Sequence, residues 1–214
     1  MARIYFYKLT TDDGGAPCVQ DGLMSLAICK PMIRSTAEPG DMIFGFAANS
    51  LHADNRLVYV ARLTDKLPDG QYYMSARFAA REDCIYERRG DRFVWRQGAL
   101  HHGPEHLVHD LGRYPDYLKA NVLLSEDFRY FGRNGKAHYK SRYPLIRKTV
   151  EHLGQGHRTH HDRALRIELQ ALMREVWNGS RKKVLGERTS KPRRGLSHRG
   201  GSCGVVGDGG VSEQ

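Results

Sequence analysis

The chain has 214 residues, 40% of them hydrophobic, which is enough to build a packed core and excludes global disorder. Its 34 lysine and arginine residues outnumber 24 acids, giving a formal net charge of +10. The sequence contains no apolar run of about 18 residues and no apolar secretory-signal core near its start, and its four cysteines form no CxxC pair. We therefore expect a cytoplasmic protein with reduced thiols and no membrane partner.

Short apolar segments separated by turn residues predict a small sheet. Residues 3–9 are aromatic and β-branched and end in the turn-rich sequence TDDGGAP. Three further segments have the same character: residues 42–46, 57–64 and 121–125. The runs CIYE and RFVW flank a Gly-containing turn and predict a β-hairpin. Residues 23–30 form one apolar run that fits either a strand or a helix.

Three segments predict helices packed outside that sheet. A proline suits the first turn of a short helix over residues 31–37, and a second helix is predicted over residues 143–153. In residues 162–177 apolar side chains recur every three or four positions, and Asp162 lies where its charge favours the helix dipole. Residues 97–116 are rich in His, Gly and Pro and predict a long loop. Because βαβ alternation is absent, the pattern favours an α+β fold, a curled sheet or barrel with helices outside.

Residues 181–214 differ in composition from residues 1–180. They contain eight lysine or arginine residues against three acids, many glycines and no aromatic residue. Such a segment buries too little apolar surface to offset its chain entropy, so we predict one domain over residues 1–180 and a disordered basic tail from Arg181. The tail suits loose contact with a phosphate backbone. A solvated tail without a partner is the alternative.

No strong catalytic motif is present, because the sequence lacks GxSxG, a P-loop, HExxH and a dinucleotide-binding glycine pattern. Most of its 11 histidines fall in two clusters, residues 101–109 and 152–161. Their spacing matches no zinc module, so we predict surface histidines, no bound metal and no cofactor, with a metal held by clustered imidazoles as the alternative. A further alternative is that His157 and Arg158, which follow a flexible GQG sequence, donate hydrogen bonds to a phosphate.

The segment SEDFRYFGRNGK, residues 125–136, interleaves aromatic residues with cations and glycines. Aromatic rings stack on bases while cations contact phosphates, so this pattern is typical of a nucleotide or nucleic-acid site. The alternative is that Phe128 and Phe131 anchor the end of a strand in the core. Lys30 and Arg34, with the tyrosines of the first strand, would form a second basic edge.

Several segments together resemble a bacterial and phage family, the nucleotide-modification-associated domain of the second type. The resemblance runs over about residues 3–160, with an end at residue 177 as the alternative, and excludes the tail. It lies in IYFYKLTTDDGGAP, LAICKPMIRSTAEPGDMIFGF, VYVARLTDKL, VLLSEDFRYFG and GQGHR. Its most specific parts are Cys29-Lys30-Pro31 followed by Ile33-Arg34, then Gly40-Asp41, and residues 128–132. The resemblance implies a role in systems that make or handle modified DNA bases, and it assigns no catalytic residue.

A Gly-Asp turn into an apolar strand, followed by LVYVARL, also looks like the beginning of PUA-like domains such as the EVE, ASCH and YTH types. That resemblance implies a curled sheet or pseudo-barrel in which an extruded base sits in a pocket below a cationic rim. The leading hypothesis is therefore binding of modified bases in DNA, or of modified nucleotides, with DNA-modifying enzymes as further partners. The candidate ligand-binding residues are Tyr5, Lys30, Arg34, Phe46, Asn49, Phe131, Arg133, His157 and Arg158.

Two other hypotheses compete with this non-enzymatic reader. The first is an enzyme that acts on a nucleotide or base in the same system, in which Glu105 or Asp127 would serve as acid or base beside a histidine. The second is an interaction protein whose positive charge only keeps it in solution.

Overall fold

The computed structural model describes residues 2–154 and 156–191, and these fold as an α+β structure, as predicted. The strands are β1 (Ile4–Leu9), β2 (Cys18–Gln20), β3 (Leu23–Leu26), β4 (Met42–Ala47), β5 (Leu57–Arg62), β6 (Asp65–Leu67), β7 (Tyr86–Arg89), β8 (Arg92–Trp95), β9 (Val122–Ser125), β10 (Asp127–Tyr130) and β11 (His157–Arg158). The helices are α1 (Pro31–Thr36), α2 (Gln71–Met74), α3 (Leu107–Leu111), α4 (Tyr139–Arg142), α5 (Pro144–His152) and α6 (Arg163–Gly179). None of these helices is long and apolar enough to cross a membrane.

The described strands form two open sheets and a hairpin. The larger sheet has the order β10-β5-β4-β1-β11, with β1 and β4 parallel and the other pairs antiparallel. The smaller sheet has the order β2-β3-β9-β6 with antiparallel pairs, and β7 pairs with β8. Closing a barrel requires the two end strands to pair. Since β10 and β11 do not pair, the larger sheet is not a closed barrel.

The larger sheet is buried on both faces because successive side chains of a strand point to opposite sides. On β1, Tyr5, Tyr7 and Leu9 pack toward the smaller sheet and α1. Ile4 and Phe6 pack on the other side, beneath α4, α5 and α6. The outer face of the smaller sheet is in turn covered by α2, α3 and the β7–β8 hairpin. Helix α1 therefore begins beside the core that separates the two sheets.

Helix α6 begins and packs as its sequence predicts. Leu165, Leu169 and Leu172 are buried along one face, which confirms the predicted apolar stripe. The Asp162 carboxylate accepts a hydrogen bond from the Leu165 backbone N–H at 2.8 Å and so caps the helix.

Replacing Asp162 with alanine is expected to lower the free energy of unfolding by about 1 kcal/mol, because one backbone N–H of the first turn loses its acceptor. The corresponding fall in Tm is roughly 2–4 °C. Thermal and urea denaturation measure both quantities. Asp162→Ser keeps a capping oxygen and should remain close to the wild type, so an equal loss in both variants would contradict the capping role.

The segment predicted as a long loop, residues 97–116, contains helical structure. A 3-10 turn at Pro104–His106 leads directly into α3, where the side chains of Asp110 and Leu111 are fully buried. The prediction of a plain loop was wrong here because one or two helical turns are too short to leave a period in the sequence.

Residues 181–191, which their composition assigned to the tail, lie along the edge strand β10. The Tyr130 N–H donates to the carbonyl of Lys183, and the Leu185 N–H donates back to the carbonyl of Tyr130, both at 2.8 Å. Further along, Thr189 donates its N–H to the buried carboxylate of Asp12 at 3.0 Å. An open edge strand offers backbone partners that composition does not reveal. The rest of the predicted tail, residues 192–214, lies outside the described residues.

Candidate functional site

Three of the candidate ligand-binding residues are completely buried. Tyr5 and Phe46 have no exposed surface, and the ring of Phe46 lies 4.8 Å from that of Phe6 and 4.9 Å from that of Tyr139. The Tyr5 hydroxyl donates to Thr36 Oγ1 at 3.2 Å. The protein itself surrounds both aromatic rings on all sides, so the described fold leaves neither ring open for stacking on a base.

The third buried residue, Arg34, forms hydrogen bonds to backbone carbonyls of the protein and does not lie at the rim of an open pocket. Its guanidinium donates to the carbonyl oxygens of Cys29 (2.6 Å), Asp110 (2.7 Å), Lys119 (2.8 Å) and Asn121 (2.7 Å). The planar fork of an arginine matches several acceptors at once. Arg34 thereby ties the start of α1 to α3 and to the segment before β9.

The remaining candidates separate into scattered residues and one group. Asn49, Arg133 and Arg158 are exposed at separate places in the chain: Asn49 accepts from Asn55, Arg133 pairs with Glu187, and Arg158 donates to a nearby carbonyl. Phe131 is partly buried beneath α6. The structure brings Tyr5, Lys30 and His157 together, at the edge of the larger sheet where β11 pairs with β1.

A second constellation lies at the start of α1 and consists of Cys29, His102 and Asp110, here called the thiol triad. Cys29 Sγ lies 3.2 Å from His102 Nε2, and His102 Nδ1 lies 2.7 Å from Asp110 Oδ2. Cys29 precedes α1, His102 lies in the segment after β8, and Asp110 belongs to α3. A thiol, an imidazole and a carboxylate in this order form the arrangement of an activated cysteine nucleophile with its base and the group that orients the base.

The contacts of Asp110 stabilise the ionised form of its carboxylate. Its carboxylate accepts hydrogen bonds from the Tyr86 hydroxyl at 2.8 Å and from the Cys29 N–H at 2.9 Å, besides the contact with His102. Burial by itself would raise the pKa of Asp110, but the hydrogen bond and charge of His102 and the charge of Arg34 hold it below its ordinary value. An ionised Asp110 requires the proton of His102 to be on Nδ1, which leaves Nε2 to accept the proton of the Cys29 thiol.

Two residues of the triad and the adjacent Lys30 have a strained backbone. Cys29, Lys30 and His102 have φ angles of 55°, 45° and 30°, in the left-handed region that residues other than glycine seldom adopt. Such conformations cost free energy and cluster at functional sites. Here the contacts of Arg34 and Asp110 with Cys29 hold the backbone in place.

Cys29 differs from the two other cysteines of the described residues. Cys18 and Cys84 are free thiols but are buried, whereas Cys29 is partly exposed and the His102 side chain beside it is 15% exposed. Burial raises the pKa of Cys84 to about 11 and that of Cys18 still further. Buried thiols with a raised pKa are inert, so Cys29 is the thiol of the described domain that is placed to react.

The two carboxylates that the sequence suggested as acid or base have other contacts. Glu105 pairs with His106 at 3.1 Å and is exposed. Asp127 pairs with Arg62 at 3.1 Å and accepts from Trp177 Nε1 at 2.8 Å. No group of three or more His, Cys, Asp or Glu side chains in the described part of the chain is placed to hold a metal ion.

The fold and this site define an α+β domain with a cysteine-centred constellation. The family model for nucleotide modification associated domain 2 matches residues 1–187, so the chain belongs to that family, as its sequence resemblance predicted. The family is thus associated with nucleotide modification. Neither a curated protein nor a solved structure matches the chain.

Proposed function

We propose that the protein is an enzyme of a nucleotide-modification system in which Cys29 attacks an electrophilic carbon of a nucleotide or base. The observation that carries the proposal is the relay from Cys29 Sγ to His102 Nε2 at 3.2 Å and from His102 Nδ1 to Asp110 at 2.7 Å. Membership of the family supports the substrate class. The reaction class follows from the residue types, since a thiolate is a strong nucleophile and an imidazole moves protons near neutral pH.

In the proposed reaction, His102 Nε2 takes the thiol proton and Asp110 balances the charge of the resulting imidazolium. The Sγ thiolate forms a bond to the electrophilic carbon, and the bond from that carbon to its leaving group breaks. The leaving group departs with the proton from His102. Water then attacks the carbon of the adduct while His102 takes a proton from it. The carbon–sulfur bond breaks, and His102 returns the proton to the departing sulfur, which restores the thiol.

The test is the pH dependence of Cys29 alkylation by iodoacetamide, followed by mass spectrometry in a Cys203→Ser background. A thiol paired with histidine is already a thiolate at pH 6, whereas an ordinary thiol reacts about tenfold more slowly for each pH unit below 8. We expect the wild-type rate at pH 6 to lie within about fivefold of the rate at pH 8. Cys29→Ser should abolish this fast labelling. A wild-type rate that falls like that of free cysteine would refute the proposal.

Binding of modified bases without chemistry, in the manner of PUA-like domains, is the second candidate function. The observation that favours it is a half-open cleft of about 450 Å³ beneath α6, lined by Phe131, Tyr139, Lys136 and His138. Its volume is typical of small-ligand sites, and its mixture of rings and cations suits a nucleotide. The cleft lies on the helical side of the larger sheet, whereas the triad lies beside α1, so the two sites are separable.

Under this second function, Phe131→Ala should weaken binding of a modified duplex about five- to tenfold, because one stacking ring is lost. Fluorescence anisotropy with modified and unmodified duplexes at two salt concentrations measures the effect. The rate of Cys29 alkylation should not change in this variant. Equal affinity of the wild type for both duplexes would leave only general polyanion binding.

A further inference from the structure

A basic and aromatic cluster includes the residue that follows the proposed nucleophile in the chain. Lys30 follows Cys29 in the chain, and its Nζ atom lies 4.9 Å from the ring centroid of Tyr7. Tyr7 is the register partner of His157 across the antiparallel β1–β11 pair, so their side chains share one face of the sheet. The ring of Tyr5 lies 5.9 Å from that of His157. We call the cluster of Lys30, Tyr7 and His157 the Lys30 subsite.

The charge of Lys30 is not neutralised by an acid of residues 2–154 or 156–191. Lys66 and Lys140, in contrast, pair with Glu38 at 2.6 Å and Glu151 at 3.5 Å. Burial and the positive charge of Lys30 together lower the pKa of His157, which is a sign of positive potential at this edge. A partly buried ammonium without a carboxylate partner gains more free energy from binding an anion than a solvated ammonium does.

The positive potential of Lys30 acts near the proposed nucleophile, because Lys30 is the residue that follows Cys29. The ammonium rests on the Tyr7 ring, where a cation–π contact holds it in place. Lysine binds phosphate as a point charge, and the adjacent Cα atoms of Cys29 and Lys30 are only about 3.8 Å apart. Because the two side chains start from adjacent Cα atoms, a phosphorylated nucleotide bound at the Lys30 ammonium is long enough to reach the Cys29 thiol.

We propose that Lys30 and His157 hold a phosphate of the substrate next to Cys29, so that the substrate is a phosphorylated nucleotide unit rather than a free base or nucleoside. The proposal rests on the proposed function of Cys29. It adds a specificity-determining residue, Lys30, outside the thiol triad.

The test compares two thiol reagents that differ in charge. Iodoacetate is an anion and iodoacetamide is neutral, and both form the same bond to sulfur. The ratio of their rate constants with Cys29 reports attraction of an anion, while any effect of Lys30 on the thiolate itself cancels. We expect this ratio to fall about five- to tenfold in Lys30→Met and to be largely kept in Lys30→Arg.

A matched control and a fold check accompany these variants. Lys148→Met removes an exposed cation of α5, which is part of neither proposed site, and it should leave the ratio unchanged. His157→Gln should lower the ratio to a smaller extent, and more at about pH 5 than at about pH 7, since burial and Lys30 keep the imidazole neutral until below its ordinary pKa. Lys30→Met must keep the wild-type circular dichroism spectrum and Tm, and Lys30→Gln replaces it if it does not. A ratio that is equal in the wild type and in the folded Lys30 variants would overturn the proposal.

Protection experiments identify the source of the phosphate. Thymidine 5′-monophosphate and a short single-stranded DNA should slow alkylation of the wild type, while thymidine should not; stronger protection by DNA would identify the polymer as the source. Protection by the monophosphate should be lost in Lys30→Met. Equal protection by thymidine and its monophosphate would overturn the subsite. Failure of the proposed function of Cys29 can be distinguished from failure of the Lys30 subsite. It appears in the pH dependence of Cys29 alkylation by neutral iodoacetamide alone.

Discussion

A His102→Gln variant is expected to be alkylated at Cys29 about 100-fold more slowly than the wild type at pH 6. In the wild type, the imidazole is 3.2 Å from Sγ and can hold the thiol proton, while Asp110 at 2.7 Å balances the charge. A glutamine amide takes up no proton. An ordinary thiol titrates near pH 8.5 and is only about 0.3% thiolate at pH 6, although the lower nucleophilicity of a stabilised thiolate offsets part of the difference.

His106→Gln is the matched control for this variant. The His106 ring stacks on that of His102 at 4.5 Å, and its replacement should change the rate by less than about threefold because it takes no proton from Cys29. Asp110→Asn should fall between the two, since an amide keeps one acceptor oxygen but loses the charge that stabilises the imidazolium. An unchanged rate in His102→Gln at pH 6 would exclude His102 as the base.

Much of the fold follows from local sequence patterns. The segments predicted at residues 3–9, 42–46, 57–64 and 121–125 correspond to β1, β4, β5 and β9, and α1, α5, α6 and the β7–β8 hairpin also lie where they were predicted. Each of these elements is long enough to have a hydrophobic period or has a distinctive turn or cap. Strand β11 has only two residues and α3 has five, so neither leaves a period to recognise.

The candidate site could be predicted only in part, because it is assembled from distant segments. Cys29 lies 73 positions from His102 and 81 from Asp110, and no short motif links the three residues. Two signals were present: Cys29-Lys30-Pro31 is among the most specific parts of the family resemblance, and the histidine-rich segment 97–116 was predicted as a long loop, a place where functional residues are common. What the sequence did not contain was the fold that brings α1 and α3 together.

Arg34 illustrates the opposite difficulty, since residue type alone suggested an exposed cation. Arginine is mostly found on protein surfaces. Here the side chain has no exposed surface, because four carbonyl oxygens from three segments converge on the guanidinium. Arg34 is therefore expected to contribute to stability and to the position of Cys29 rather than to contact a ligand.

An Arg34→Met variant is expected to lose about 3–5 kcal/mol of unfolding free energy, one of the largest effects available to a single substitution in this domain. Methionine fills a similar length but donates no hydrogen bond, so the carbonyls of Cys29, Asp110, Lys119 and Asn121 lose their shared donor. Urea denaturation followed by tryptophan fluorescence measures the loss.

The response to Arg34→Lys separates the structural role from the rim role that the sequence suggested. A lysine keeps the positive charge, but its compact ammonium cannot replace the arginine fork that reaches all four carbonyls, so a smaller loss of stability and slower Cys29 alkylation are expected. If Arg34 instead lay exposed at the rim of a ligand pocket, the opposite results would be expected. Both variants would then keep wild-type stability, Arg34→Lys would keep ligand affinity, and only Arg34→Met would weaken binding. That result would contradict a structural role for the buried Arg34 side chain.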